Sequence, residues 1–141
     1  MAAKGKAKWE GDLKGGHGTF TAGDSITGDY SFKSRFEDGP GANPEQLIGA
    51  AHAACFSMAL SNILAEAGHN PTSVEAEATV QLRVLDDGPA ITKIALTVVG
   101  TVPGLGEEDF LEHARQAKEG CPVSKALAGV PEITMDASLA H

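Results

Sequence analysis

The chain predicts an α+β fold with mainly antiparallel strands, and three observations predict it. Its first third is short strand-like runs punctuated by glycine. Its middle holds one long apolar helix with a clear start. After that comes a strand with unbroken period-two alternation, paired across a turn with a second long strand.

Lys6 to Glu10, Thr19 to Thr21 and Tyr30 to Phe36 are the early strand runs, with turn chemistry at Gly15-Gly16, Gly23-Asp24 and Gly28-Asp29. Asp38-Gly39-Pro40-Gly41 forms a loop. Asn43-Pro44-Glu45 then supplies an N-cap, a proline at the first helical position and an acid in the first turn. The helix that begins there runs to about Ala67, where Gly68 is the stop signal and Asn70-Pro71 follows. Its alanines are spread around every side, which predicts a buried central helix approached closely from several directions. From Val74 to Val84 apolar residues alternate with Ser73, Glu75, Glu77, Thr79, Gln81 and Arg83, a strand with one wet face. Asp86-Asp87-Gly88-Pro89 turns the chain into Ile91 to Val102, with Ile94, Leu96 and Val98 on one face, so the two runs predict a hairpin. An amphipathic helix from about Glu107 to Lys118 places Phe110, Ala114 and Ala117 on one side, and Gly120 ends it. Cys121-Pro122 opens a short helix to about Ala128, and Glu132 to Leu139 alternates as a terminal strand.

With 141 residues, 42% of them hydrophobic, the chain is expected to form one domain over residues 1–141 with a real core rather than a disordered or multidomain chain, and Lys4, Lys6, Lys8 and Lys14 read as a solvated end. The core is aliphatic, because aromatic residues make up only 5%. Nineteen acids against eleven bases give a net charge of −8, which argues against nucleic acid or an anionic membrane as the main partner. Gln46 to Ala65 carries no formal charge and is long enough to cross a bilayer. Its polar members Gln46, His52, Ser57, Ser61 and Asn62, and its ordinary cap, favour a buried helix of a water-soluble protein. The N-terminus has no apolar run of signal-peptide length, so a cytoplasmic location is expected. The two cysteines, Cys55 and Cys121, read there neither as a structural staple nor as a zinc site.

Each cysteine has a plain and a chemical reading. Cys55, on an apolar helix, suits a small core residue. Cys121 stands ahead of Pro122 at a helix start, where free N–H groups and the helix dipole lower a thiol pKa, and this position alone nominates it as the more reactive sulfur. His52 lies three residues before Cys55 on one helical face, so either a Cys–His nucleophilic dyad or a hydrogen-bonded core histidine fits. Arg35 and Glu45 read equally as an ordinary strand charge and an ordinary cap.

Longer strings are more specific. Arg35-Phe36-Glu37, the run from Asn43-Pro44-Glu45 through Gly49-Ala50-Ala51-His52-Ala53-Ala54-Cys55-Phe56 to Leu60, and Gly120-Cys121-Pro122-Val123-Ser124 resemble the OsmC/Ohr family, and its osmotically inducible branch more than its organic hydroperoxide resistance branch. The resemblance runs from Trp9-Glu10-Gly11 to the last strand, includes Ala90 to Leu96, and shows no departure at the family's active positions. It implies an intertwined homodimer, long central helices wrapped by antiparallel sheets, with a site at the subunit interface. The implied activity is a thiol peroxidase of oxidative and osmotic stress, reducing organic hydroperoxides in preference to hydrogen peroxide. By position Cys55 is then the peroxidatic cysteine, Cys121 the resolving one, and Arg35 and Glu45 the pair that organises the thiol. The resemblance calls for no metal, flavin or nicotinamide cofactor, and for an external dithiol, dihydrolipoyl in character, as reductant. Phe56, Met58, Phe36 and Phe20 are candidate walls of an apolar pocket for the alkyl group. Two other readings are a thiol–disulfide oxidoreductase acting on protein dithiols and a non-catalytic dimeric stress or binding protein.

Glu45 and Cys55 are ten residues apart, so on one continuous helix they are separated by about 15 Å along the axis and cannot share a site within one chain. Glu45, with Arg35, is therefore expected to complete the site around the Cys55 of a second copy.

Overall fold

The computed structural model describes residues 1–140, and the chain clusters into two compact units, Met1–Leu47 and the residues from Ile48 onward. In the first unit β1 (Gly5–Glu10), β2 (His17–Ala22) and β3 (Ile26–Tyr30) form an antiparallel meander. Gly23, at the β2–β3 turn, has φ 58°, the left-handed conformation that glycine adopts without steric cost. Gly28 and Asp29, expected in a turn, lie inside β3. Trp9, Tyr30 and Phe20 pack as tilted aromatic pairs, with centroids 5.4 Å (Trp9–Tyr30) and 6.2 Å (Phe20–Tyr30) apart.

The expected strand from Tyr30 to Phe36 is a correction: only Tyr30 belongs to a strand, and α1 spans Phe32–Phe36. Ser31 and Ser34 cause the difference. The Ser34 N–H donates to Ser31 Oγ (3.2 Å) and the Ser31 N–H donates to Ser34 Oγ (2.8 Å), a reciprocal capping box that nucleates the turn. Asn43 Oδ1 then accepts from the Gln46 N–H at 2.8 Å and caps α2 (Pro44–Glu66).

The second unit contains most of α2, the hairpin of β4 (Ser73–Leu85) and β5 (Gly88–Thr101), α3 (Glu107–Gly120), α4 (Pro122–Ala126) and β6 (Glu132–Leu139). The helix α2 stops as expected at Gly68, whose φ is 89° and behind which the His69 N–H returns to the Leu64 carbonyl at 2.8 Å. Its burial is one-sided. His52, Phe56, Leu60 and Leu64, four residues apart, are fully buried, whereas Ala50, Ala54 and Met58 are exposed in the single chain. The expectation of a helix buried on all sides therefore holds for one face only.

The core joins Phe56, Leu60 and Leu64 to Leu96, Val98 and Val102 of β5 and its end, and to Phe110, Ala114 and Ala117 of α3. Thus the inward residues of the hairpin and of the amphipathic helix are those their periodicities select. In this sheet β5 is central. β4 pairs with it antiparallel, but β6 pairs with it parallel, in contrast to the antiparallel wrapping expected. The alternation of Glu132 to Leu139 defines a strand without giving its direction. The crossover through α3 and α4 returns the chain to the starting end of β5, and parallel pairing follows.

Candidate functional site

Two clusters hold the residues singled out above, one in each unit. In the first, α1 and the opening turn of α2 face each other through a short loop. Ser34 Oγ donates to the Ala42 carbonyl at 2.7 Å and Asn43 Nδ2 donates to the Ser34 carbonyl at 2.9 Å, which fastens α1 to the helix start. Across that junction Arg35 Nε donates to Glu45 Oε1 at 2.9 Å and Arg35 Nη2 donates to Glu45 Oε2 at 3.1 Å. The Glu45 side chain is 8% exposed and that of Arg35 35%, so the carboxylate is enclosed while the guanidinium keeps an open edge. The Arg35 guanidinium also stacks 5.5 Å over the Phe36 ring. Beside it Trp9, Leu13, Tyr30, Phe32 and Phe36 line a cleft of about 240 Å³.

The second cluster lies where α2 meets the start of α4. Cys121 is fully buried, is the N-cap of α4, and its Sγ accepts the Ser124 N–H at 3.3 Å, the helix-start geometry expected of it. Cys55, partly exposed, reaches the same place from α2, and the two thiols lie close enough to shift each other's ionisation. The pairing implied by the family resemblance is thus physically available, with both thiols free.

Their environments differ. Burial pushes the Cys55 thiol up, the neighbouring Cys121 adds to that, and the Val123 N–H pulls the other way without reversing it. Burial would push Cys121 up as well. Hydrogen bonds received from the Ser124 hydroxyl and N–H, from Cys55 and from the Val123 N–H outweigh it and hold Cys121 below the ordinary cysteine value. Within this unit Cys121 is therefore the readier of the two thiols to ionise.

His52 does not form a dyad with Cys55. Its Nε2 is 2.7 Å from Ser124 Oγ, and Ser124 Oγ is 3.3 Å from Cys121 Sγ, so the histidine is joined to the other cysteine through a serine. Burial pushes the His52 pKa down, which keeps the ring neutral. Ser124 is a member of this site that no sequence expectation names. The signal was present in Cys121-Pro122-Val123-Ser124, where the serine stands three residues after an N-cap and can turn its hydroxyl back to it.

Of the proposed pocket walls, Phe36 lines the cleft beside Arg35. Phe20 packs on Tyr30, Phe56 is fully buried in the core, and Met58 is 76% exposed, so none of these three lines that cleft. Among the described residues no group of three or more His, Cys, Asp or Glu side chains is arranged to hold a metal ion.

The family model for OsmC-like proteins matches residues 37–136. Peroxiredoxin OsmC of Escherichia coli (strain K12) is 51% identical over 138 residues, covering 96% of this chain and 95% of that protein. The organic hydroperoxide resistance protein OhrB of Bacillus subtilis (strain 168) is 36% identical over 96 residues, 68% of this chain and 69% of that one. The crystal structure of Bacillus subtilis OhrB superimposes with a TM-score of 0.72 at 28% identity, covering 99% of this chain and 98% of that one.

Proposed function

The chain belongs to the OsmC family and is a thiol-dependent peroxidase, and from that premise we propose that it reduces organic hydroperoxides to alcohols through Cys55, with Cys121 as the resolving cysteine. The observation that carries this reading is the pair of free thiols packed into one cluster, one partly exposed and one buried. The Cys55 thiolate attacks the distal peroxide oxygen, the O–O bond breaks, and the alkoxide leaves as the alcohol. Cys55 is left as a sulfenic acid. Cys121 attacks its sulfur, the disulfide forms, and hydroxide departs as water before further oxidation can become irreversible. An external dithiol, dihydrolipoyl in character, resets the pair.

A cation must act on Cys55, because burial and Cys121 together push its thiol up and an ordinary thiol is already only about a few per cent ionised at pH 7. Arg35 fits that part, oriented by two hydrogen bonds to Glu45 and free on its open edge to hold the peroxide oxygens and the departing alkoxide. Glu45 stands in the first turn of the continuous helix Pro44–Glu66 and Cys55 about 15 Å further along its axis. We therefore assign the Arg35–Glu45 pair to the Cys55 of a second copy in a homodimer, for which the exposed apolar stripe Ala50, Ala54 and Met58 offers a contact face. On this reading residues 1–141 work as one OsmC-like domain in the cytoplasm, where free thiols persist.

The test is consumption of cumene hydroperoxide and of hydrogen peroxide, with excess dihydrolipoamide, by the parent and by Cys55→Ser. Organic-selective turnover lost in the variant supports the proposal, and turnover that survives the change refutes it. Mixing Glu45→Ala with Cys55→Ser under subunit exchange tests the shared site: restored activity is expected, and no restoration defeats it.

A further inference from the structure

His52 and Ser124 take no part in the chemistry above, yet both are buried, and they join by short contacts into a chain that ends on Cys121 Sγ. We propose that Ser124 holds Cys121 as the leaving thiolate when the dithiol reopens the Cys55–Cys121 disulfide, and that His52 is the positioning residue that aims the Ser124 hydroxyl at the sulfur. The inference rests on the disulfide mechanism of the preceding subsection.

The direction of the hydrogen bonds follows from the ionisation of one atom. A thiolate only accepts, so when Cys121 is ionised the Ser124 O–H must donate to it. The Ser124 oxygen is then free to accept, and His52 must carry its proton on Nε2 and donate. Nδ1 is left bare, and Nδ1 is the His52 atom that finds no hydrogen-bond partner among the described residues. If instead Cys121 were the donor, the Ser124 O–H would keep an acceptor within this chain of contacts only by pointing at Nε2, and the proton would move to Nδ1. That would strand an N–H in the core. Neutral His52 with a donor at Nε2 thus matches an anionic Cys121, and burial of the ring keeps it neutral. Among the described residues Cys55 and His52 are the ionisable groups the structure brings to this sulfur, the first as its neighbouring thiol and the second through Ser124.

The consequence is a disulfide with a built-in polarity. A dithiol thiolate attacks the accessible sulfur, Cys55, and a mixed disulfide forms while the Cys55–Cys121 bond breaks. The electron pair stays on Cys121, where the Ser124 O–H and N–H receive it, and a stabilised thiolate leaves faster. The second thiol of the dithiol then attacks its own mixed sulfur and releases Cys55. Two electrons have passed from the dithiol to the protein, and its two protons end on the Cys55–Cys121 pair and solvent.

The experiment follows Cys121 alone, by the ultraviolet absorbance of its thiolate against pH in a Cys55→Ser background, and adds His52→Leu, His52→Gln or Ser124→Ala. In the Cys55-containing proteins, the disulfide made with cumene hydroperoxide is then reduced with dithiothreitol. His52→Leu and Ser124→Ala are expected to move the Cys121 midpoint up by about one pH unit, a roughly tenfold loss of thiolate, and to slow reduction several-fold. His52→Gln, which keeps a donor, should recover most of both. Midpoints that stay with the parent, or a glutamine variant that behaves as the leucine one, overturn the proposal. Ser124→Ala removes a single oxygen and keeps the test decisive if His52→Leu does not fold. If cumene hydroperoxide produces no intramolecular disulfide, the disulfide mechanism fails and the leaving-group role with it. A normal disulfide with unshifted midpoints and unchanged reduction defeats the His52–Ser124 inference alone.

Discussion

Arg35 grips both oxygens of Glu45, Nε on Oε1 at 2.9 Å and Nη2 on Oε2 at 3.1 Å, while its open edge faces away from a carboxylate that is almost wholly enclosed. The pair joins a five-residue helix to the first turn of a twenty-three-residue one, so the orientation of the guanidinium depends on both. A planar fork can meet a carboxylate at two points and still present a further N–H outward, which an ammonium group cannot do with the same precision. Arg35→Lys should therefore keep the charge and lose the function. We expect kcat/KM for cumene hydroperoxide to fall roughly tenfold or more, the loss of one charge-assisted hydrogen bond in the transition state. A lysine variant within twofold of the parent would show that charge alone suffices.

The capping box of Ser31 and Ser34 sets the position of Arg35 from the other side. Ser31→Ala removes the oxygen that receives the Ser34 N–H, and urea unfolding should show a loss of about 1 kcal/mol, as at other helix caps. Peroxidase activity should fall too, but less than in Arg35→Lys, because Asn43 and Ala42 still fasten Ser34 to the start of α2. Unchanged stability would mean that these tethers alone hold α1.

That same segment shows where the sequence was legible and where it was not. Tyr30, Phe32 and Phe36 stand at even spacing among polar residues, which has the period of a strand, and the local exchange between two serines overrides it. The helix from Pro44 was legible because its cap, proline and first-turn acid are consecutive in the chain, and the β4–β5 hairpin because its period is unbroken. The parallel placement of β6 was not, since alternation carries no direction. The site divides in the same way. Cys121 announced itself by its helix start, whereas its neighbour Cys55, 66 positions away, was assigned only through the family resemblance. His52 and Cys55 are close in sequence, and that proximity suggests a dyad the fold does not form. The burial of His52 with Phe56, Leu60 and Leu64 sets it on the core face, and there it meets Ser124, a residue of another helix.

Gly49 records how closely α2 is approached by β4. A Cβ built there would sit 2.9 Å from the Ala78 carbonyl oxygen and 3.5 Å from Val80 Cγ2. Alanine normally favours a helix over glycine by about 1 kcal/mol, yet here the obstacle is strand backbone that cannot rotate aside. Gly49→Ala should thus destabilise the protein by about 1–3 kcal/mol in urea, the usual range for overpacking. Gly120→Ala, at the end of α3 with no atom within 4 Å of the added carbon, should be neutral or slightly stabilising. Equal effects from the two changes would remove the argument from close approach.

The buried, neutral His52 also gives stability a pH dependence of definite sign. Burial lowers its pKa in the folded state, so on acidification the unfolded chain takes up this proton first, from about pH 6.5, the ordinary histidine value. Because the unfolded state then binds more protons, stability rises with pH across this window. The contribution is complete above the unfolded pKa and is lost as pH falls toward the folded one. His52→Gln removes the titration and keeps a donor for Ser124, so it leaves Cys121 held as before. Urea unfolding of the reduced protein between about pH 7.5 and 5 should show the parent losing stability more steeply than the variant. The difference in slope should approach about 1.4 kcal/mol per pH unit, the value for one proton. Parallel curves would mean that His52 takes up its proton in the fold as readily as in the open chain. A shallower parent would mean that the fold favours the imidazolium, in which Nε2 still donates to Ser124 but Nδ1 carries a proton too, and the neutral ring with a bare Nδ1 would be wrong.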